Sequence, residues 1–200
     1  MEYVYDPAHR LTEIRDGLGN RIVYTLDAMG NRTKEAALDP SGALARTRSR
    51  VYDSLNRLSQ EVGALGQATV HTYDGNGNLT GLVDPLSRST TQVFDARSRM
   101  TEVRDPVNGT SFATRYAYNA QDQLTQVTDP KGLATTYSLN GHGELLAQSS
   151  PDTGTTGYTY DAAANLKTRL DARGVQAAFT YDELNRLTQV TYPDETVAYA

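Results

Sequence analysis

At nine positions, mostly 21 residues apart, an aromatic residue or Leu is followed immediately by Asp or Asn, and in six of these places another large apolar residue lies two positions earlier. We call the residue before the Asp or Asn the anchor; the anchors are Tyr5, Leu26, Tyr52, Tyr73, Phe94, Tyr118, Leu139, Tyr160 and Tyr181. Large residues two positions apart predict a β-strand with one apolar face. Successive anchors are mostly 21 residues apart, with longer steps of 26 and 24, so the chain is predicted to be a tandem repeat.

Each anchor is followed by residues that are typical of a tight turn. The residue after the anchor is Asp6, Asp27, Asp53, Asp74, Asp95, Asn119, Asn140, Asp161 or Asp182. A short Asp or Asn side chain bonds backbone amides two positions on and so opens a turn. Residues that tolerate a positive φ lie near the end of the turn, namely Gly30, Asn56, Gly77, Asp122, Gly143 and Asn185. A hairpin is therefore predicted after the anchors.

A second strand is predicted to begin six positions after the anchor. It opens at Leu11, Leu58, Leu79, Met100, Leu124 or Leu187, each followed by Thr or Ser. It frequently ends at Asp with a nearby Pro or Gly, which predicts a second turn. Strands joined by turns of about three to five residues pair as antiparallel neighbours, because a parallel crossover needs a dozen or more residues.

The predicted fold is all-β: one continuous antiparallel meander of hairpins over residues 1–200, with eight to nine repeats and almost no helix. A twisted open sheet seldom exceeds roughly 10 strands without curling, so about 17 strands are expected to curl into an open, spiralling segment. The two longer steps, Ala36 to Arg50 and Pro106 to Arg115, are interpreted as surface loop insertions, with a domain boundary there as the alternative. The spacing of three between Leu11 and Ile14 breaks strict alternation, so either a bulge intervenes or both faces are partly covered.

Composition narrows the classes of function. A net charge of −5 with only three Lys argues against nucleic acid or an anionic membrane as a partner, because both are captured largely by positive charge. The chain has no Cys, which excludes disulfides and thiolate metal sites. It shows no signal-peptide pattern and no apolar run near 18 residues, so no membrane span is predicted.

The repeat motif itself resembles a known family. Residues 5–16 read almost completely as Tyr-Asp-x-x-x-Arg-Leu-Thr-x-Val-x-Asp, with Ile14 in place of Val, and residues 181–190 match the first ten positions of this pattern. A companion form with Gly-Asn occurs at residues 27–33 and 74–80. This pattern resembles the YD repeat of RHS proteins, and the likeness covers effectively the whole chain.

The resemblance implies a fold and a role. In bacterial RHS proteins and insecticidal toxin-complex proteins such repeats form a spiralling β-sheet shell around a C-terminal toxic domain, and the teneurins carry a similar extracellular shell. The partners implied by the resemblance are the rest of that shell and a toxin cargo. The localisation implied is that of a bacterial effector, which is exported from the cytoplasm or secreted. The segment 129–133 is similar to the self-cleavage signature of the bacterial proteins, but it lies mid-array and is interpreted as an ordinary turn.

The sequence gives little support for a catalytic or metal-binding site. The two catalytic carboxylates of a glycosidase lie roughly 5 to 10 Å apart. An Asp repeated on equivalent strands of a sheet reaches such a distance through the strand spacing alone, so the distance does not indicate catalysis. Asp6, Asp53, Asp74 and Asp95 are therefore interpreted as turn residues. The three His stand alone, without a partner at ligand spacing. The Arg five positions after the anchor is expected to bond the turn Asp or a neighbouring carbonyl, at Arg10, Arg57, Arg99 and Arg186.

The sequence therefore predicts no catalytic, cofactor-binding or metal-binding residue. The repeat-defining structural residues are Tyr5, Asp6, Leu11, Tyr52, Asp53, Tyr73, Asp74, Phe94, Asp95, Tyr118, Tyr160, Asp161, Tyr181, Asp182 and Leu187. A structural shell segment is the favoured function, and a carbohydrate- or protein-binding surface built on rows of Tyr such as Tyr116 and Tyr158 is the alternative. An enzyme is the third class and is disfavoured. Exposed strand edges also predict edge-to-edge self-association.

Overall fold

The computed structural model describes residues 1–107 and 112–199. Within those ranges the regular secondary structure consists of β-strands, with no helix. The chain divides into two compact units, one ending at Ser98 and the other beginning at Arg99. We describe each unit by itself.

The first unit is a meander in which each strand pairs antiparallel with the next in chain order. Its strands are β1 (Glu2–Tyr5), β2 (Leu11–Arg15), β3 (Arg21–Leu26), β4 (Arg32–Leu38), β5 (Leu44–Tyr52), β6 (Leu58–Val62), β7 (Ala68–Tyr73), β8 (Leu79–Val83) and β9 (Ser89–Phe94). Every anchor from Tyr5 to Phe94 is the last residue of its strand.

The second unit repeats the same arrangement. Its strands are β10 (Met100–Arg104), β11 (Thr114–Tyr118), β12 (Leu124–Thr128), β13 (Ala134–Leu139), β14 (Leu145–Ser150), β15 (Gly154–Tyr160), β16 (Leu166–Leu170), β17 (Gln176–Tyr181), β18 (Leu187–Thr191) and β19 (Thr196–Ala198). The all-β antiparallel meander predicted from the repeats is confirmed.

The hairpins close through one recurring turn. The Asp6 amide donates to the carbonyl of Arg10, and the His9 amide donates to the carbonyl of Asp6, each at 2.9 Å. The Asp6 side-chain oxygen Oδ1 also accepts the amides of Ala8 and Arg10 at 2.9 Å. This is a type I turn whose last residue is left-handed, a connection common in hairpins. The segment at Asp129 forms the same turn and is an ordinary connection between strands, as predicted.

The left-handed position of the turn was correctly predicted from residue type. All six residues proposed for it have a positive φ, with values from 59° at Asn185 to 90° at Gly30. The structure adds residues that lack the tolerance of Gly or Asn, among them His9 at 59° and Ala164 at 65°. An L residue with a side chain is strained there by about 1–2 kcal/mol, so these turns carry a local cost.

A β-bulge resolves the conflict between Leu11 and Ile14. Tyr5 pairs with Leu11, Val4 pairs with Glu13 and Tyr3 pairs with Ile14, so Thr12 is the extra residue on its strand. The bulge brings Leu11 and Ile14 onto the face that carries the two Tyr. The same register shift accompanies the other anchors whose pairing is described. We call this surface the anchor face.

The first longer step is not a loop insertion, and that prediction is wrong. The extra residues between Ala36 and Arg50 lengthen β4 to seven residues and β5 to nine, and an ordinary turn at residues 39–43 joins them. Residues 34 to 38 of β4 each have a partner in β5, and paired backbone groups are more favourable than those of an unpaired loop. The second longer step, Pro106 to Arg115, includes residues 108–111 and so lies partly outside the described residues.

The anchor face supplies only limited burial. Four apolar residues among the described ones are buried, namely Tyr24, Ala113, Ala177 and Val190. Most other anchor-face residues are half-buried. With so little apolar area removed from water, polar contacts between repeats have a larger share in holding the array together.

Candidate functional site: the contacts between repeats

At five Tyr anchors the side-chain hydroxyl joins the repeat to the preceding one. The Tyr73 hydroxyl donates to the Leu58 carbonyl at 2.8 Å, and the Tyr118 hydroxyl donates to the Met100 carbonyl at 2.9 Å. The acceptor is always six positions after the previous anchor. The same bond recurs at Tyr160 to Leu145 and Tyr181 to Leu166, both at 3.1 Å, and at Tyr52 to Arg32 at 3.4 Å. The sequence identified these Tyr as strand ends but did not reveal this bond.

The Arg five positions after the anchor contacts two repeats at once. Arg57 Nε donates to the Asp53 carboxylate at 2.8 Å, and its Nη1 donates to the Asp74 carbonyl of the next repeat at 3.1 Å. The guanidinium carbon lies 4.6 Å from the centroid of the Tyr73 ring. Arg10 makes the equivalent pair of bonds to Asp6 and to the Asp27 carbonyl. The predicted bonds to the turn Asp or a neighbouring carbonyl are thus confirmed.

Where that position holds Asn, the contact changes but keeps its direction. Asn78 Nδ2 donates to its own turn carboxylate, Asp74, at 2.8 Å and to the Ser98 hydroxyl of the next turn at 3.1 Å. Asn165 Nδ2 donates in the same way to the Asn185 side-chain oxygen at 2.9 Å. Each acceptor belongs to the left-handed residue of the following turn, so both types of donor connect consecutive turns.

The turn carboxylates are held in their charged form. The backbone amide of Arg10 first, and then the Arg10 guanidinium, keep the pKa of Asp6 below its ordinary value of 3.8. The pKa of Asp74 is lowered chiefly by the Asn78 side-chain amide. Donors that bond the ionised form favour it over the protonated form. These carboxylates are acceptors that organise a turn, which matches the interpretation of Asp6, Asp53, Asp74 and Asp95 as turn residues.

The three His lie in unrelated settings. His9 occupies a left-handed turn position, His142 lies in another turn, and His71 is in β7 two positions before its anchor. The His71 Nδ1 atom is buried and has no hydrogen-bond partner in the described structure. Within residues 1–107 and 112–199, no three His, Asp or Glu side chains cluster closely enough to hold a metal ion.

Two further contacts were not anticipated from the sequence. The hydroxyl of the bulged Thr or Ser donates to the carbonyl of the residue before the anchor, as in Ser59 to Val51 at 3.0 Å. The signal for it was the Leu-Thr pair itself. In the first unit the anchor face also carries an ion pair between Arg50 and Glu61 at 3.2 Å, at positions that are apolar in most of the other repeats.

Comparisons with known proteins match this arrangement of repeats. The family model described as RHS Repeat matches residues 5–44, 52–89, 73–110, 94–136, 118–155 and 163–197. Comparison with curated proteins finds no sequence match. No helix long and apolar enough to cross a membrane occurs among the residues that the structure describes.

Solved structures share the fold at low sequence identity. The crystal structure of TcdB2-TccC3 is 15% identical over 94% of the chain, with a TM-score of 0.65. The structure of the Photorhabdus luminescens Tc holotoxin pore is 15% identical over 94%, with a TM-score of 0.66. The chain spans only 14% and 12% of those chains, so the likeness concerns the repeat fold. Since the RHS matches cover most of its length, the chain belongs to the RHS repeat family.

Proposed function

We propose that the chain is a structural segment of an RHS-type shell whose full-length form encloses a C-terminal toxin or effector domain. The observation that carries the proposal is the set of contacts between repeats. Tyr73 bonds backward to the preceding repeat, and Arg57 bonds forward to the next. The most regular side chains of the array are thus engaged in continuing the sheet, as a wall requires.

The proposal extends to the whole chain as one array of eight to nine repeats that curls as it grows. The RHS family membership and the likeness in fold to the TcdB2-TccC3 structures support it. The test is limited proteolysis of the full-length parent protein. We expect the C-terminal domain to resist protease while the repeats are intact and to be cleaved when repeat contacts are removed, as by Tyr73→Phe combined with Arg57→Ala. Cleavage of the C-terminal domain at equal rates in both proteins would contradict enclosure.

We assign no enzymatic role to the repeats. Asp161, for example, accepts the backbone amides of Ala163 and Asn165, and the Asn165 amide above all keeps the pKa of this carboxyl below its ordinary value, which favours the charged form. A general acid needs the opposite shift of pKa. Reproducible hydrolase activity that is abolished by a single Asp→Asn substitution would overturn this assignment.

Edge-to-edge self-association also remains part of the proposal. Within the second unit β19 pairs with β18 alone among the described strands, through three residue pairs. Strand edges of this kind recruit further strands. Light scattering over a range of concentrations should give a mass that rises with concentration. A constant monomer mass would refute association.

A further inference from the structure

The regularity of the repeats makes departures from it informative. Three positions after the start of each second strand, the anchor face carries Ile14, Glu35, Glu61, Leu82, Val103, Val127, Gln148, Arg169 or Val190. Five of the nine are apolar and one is a neutral amide, so a charge at this position needs a reason. The three charged residues differ in whether the fold itself supplies the opposite charge.

Both acidic residues are paired within the first unit. Glu61 lies 3.2 Å from Arg50 and 3.5 Å from Arg48, and Glu35 lies 3.6 Å from Arg46. These charges are therefore explained by the chain itself.

Arg169 differs, because its side chain makes no hydrogen bond or ion pair with any residue that the structure describes. It lies opposite Tyr158 in the β15–β16 pairing, on the anchor face. In the equivalent pairings Tyr116 faces Val127 and Phe179 faces Val190. The aromatic residue is thus kept, while its apolar partner is replaced by an uncompensated cation.

The same repeat also departs from the pattern in its turn. Residues 151–153 join β14 to β15 directly, without the Asp-centred turn that recurs elsewhere. Gly154 follows at a φ of 72°, and a Cβ added to it would lie 2.6 Å from the Cβ of Ala172. The short turn is therefore seated closely against the next one, which begins at Asp171.

These departures line one cavity of about 330 Å³. Its lining includes the hydroxyl residues Thr153 and Thr156 together with Tyr158, Arg169 and Arg173. Asp171 also lines it, but both of its oxygens are engaged: Oδ2 by Arg173 at 2.8 Å and Oδ1 by backbone amides. The free charge presented to the cavity is therefore the positive one of Arg169.

We propose that this cavity binds a sugar acid, a pyranose ring that carries a carboxylate. The planar guanidinium of Arg169 matches a carboxylate with two parallel hydrogen bonds. The ring of Tyr158 offers an apolar wall for the C–H face of the sugar, and Thr153 and Thr156 offer hydroxyls that both donate and accept. A plain carboxylate such as an acidic side chain would use Arg169 alone, so the combination favours the hydroxylated ring. This inference is independent of enclosure by a shell.

The test is a titration of the chain with D-glucuronate followed by amide chemical shifts. D-glucose supplies the ring without the carboxylate, and glutarate supplies the carboxylate without the ring. We expect saturable shifts at residues 153–158 and 169–173 with D-glucuronate, and affinities at least about tenfold weaker for either comparison compound. Equal affinity for glutarate would reassign the cavity to acidic side chains and overturn the proposal, as would the absence of saturable binding of D-glucuronate.

Arg169→Gln should weaken D-glucuronate binding by about tenfold or more, because it removes the charged donor pair. Lys167→Gln is the matched control, since it removes one positive charge from the same strand two residues away, and it should bind as the unaltered chain does. Both residues are exposed, and circular dichroism should confirm that both variants fold. Equal binding by the two variants would refute a role for Arg169.

Discussion

Removal of one anchor hydroxyl tests whether the bonds between repeats stabilise the array. Tyr73→Phe deletes the oxygen that donates to the Leu58 carbonyl at 2.8 Å and keeps the ring that packs on the anchor face. A hydrogen bond of this kind contributes about 1 kcal/mol net, and somewhat more when the acceptor stays partly buried without a partner. For a chain of this size that loss lowers the melting temperature by roughly 2–4 °C.

The chain contains its own controls for this experiment. Tyr5 is an anchor with 56% of its surface exposed, and its hydroxyl makes no bond with the described residues, so Tyr5→Phe should change stability by less than about 0.5 kcal/mol. Phe94 lacks the hydroxyl, and Phe94→Tyr should gain up to about 1 kcal/mol by donating to the carbonyl of Leu79. Repeat arrays often unfold in more than one step, so urea denaturation should be paired with amide hydrogen exchange. A Tyr73→Phe variant as stable as Tyr5→Phe would refute the reasoning.

Three other perturbations address the turns. Ala164→Gly should stabilise the chain by about 0.5–1 kcal/mol, because Gly adopts the φ of 65° at this position without strain. Gly174→Ala places a side chain at a φ of 82° with open space around it, and it should lower the stability in thermal unfolding by about 1 kcal/mol. Equal effects of the two variants would contradict the inference that side chains are strained at these positions. Acid should destabilise the fold, because the pKa of turn carboxylates such as Asp161 is lower in the folded state than its ordinary value of 3.8. The stability that this difference contributes is fully present above pH 3.8 and is lost as the pH falls through the folded pKa. Asp161→Asn should reduce the dependence of the unfolding free energy on pH, and an unchanged dependence would count against the prediction. Arg57→Lys should lower the free energy of unfolding measured in urea by about 1 kcal/mol, because an ammonium cannot contact Asp53, the Asp74 carbonyl and the Tyr73 ring together. An unchanged free energy of unfolding would show that the planar guanidinium is not needed for stability.

Local features of the fold could be predicted because they depend on residues close in sequence. Asp6 and His9 belong to one turn of five residues, and the period fixed where each turn falls. The lengthened hairpin was missed for a physical reason. Strand β5 alternates Arg46, Arg48 and Arg50 with Thr47 and Ser49. Its two-residue period is therefore an alternation of charged and uncharged polar residues, and a search for alternating apolar residues does not detect it.

The candidate site was predictable only in part. The bond from Arg57 to Asp53 spans four residues, and the residue types alone suggested it. The bond from Tyr73 to Leu58 spans 15 residues and depends on how two hairpins are aligned, which the sequence does not state. Arg169 stood out only once its register opposite Tyr158 and its lack of an internal partner were known.

The bonds between repeats have a direction that bears on how such a chain changes over evolutionary time. The anchor hydroxyl always reaches toward the amino terminus, and the Arg or Asn side chain always reaches toward the carboxyl terminus. A 21-codon unit with a Tyr anchor and an Arg or Asn five positions after it, inserted in frame, would bring its own donor for each junction and meet a ready acceptor on either side. Duplication or deletion of such units therefore keeps the bonds at their junctions, and the length of the array can change without the invention of a new interface.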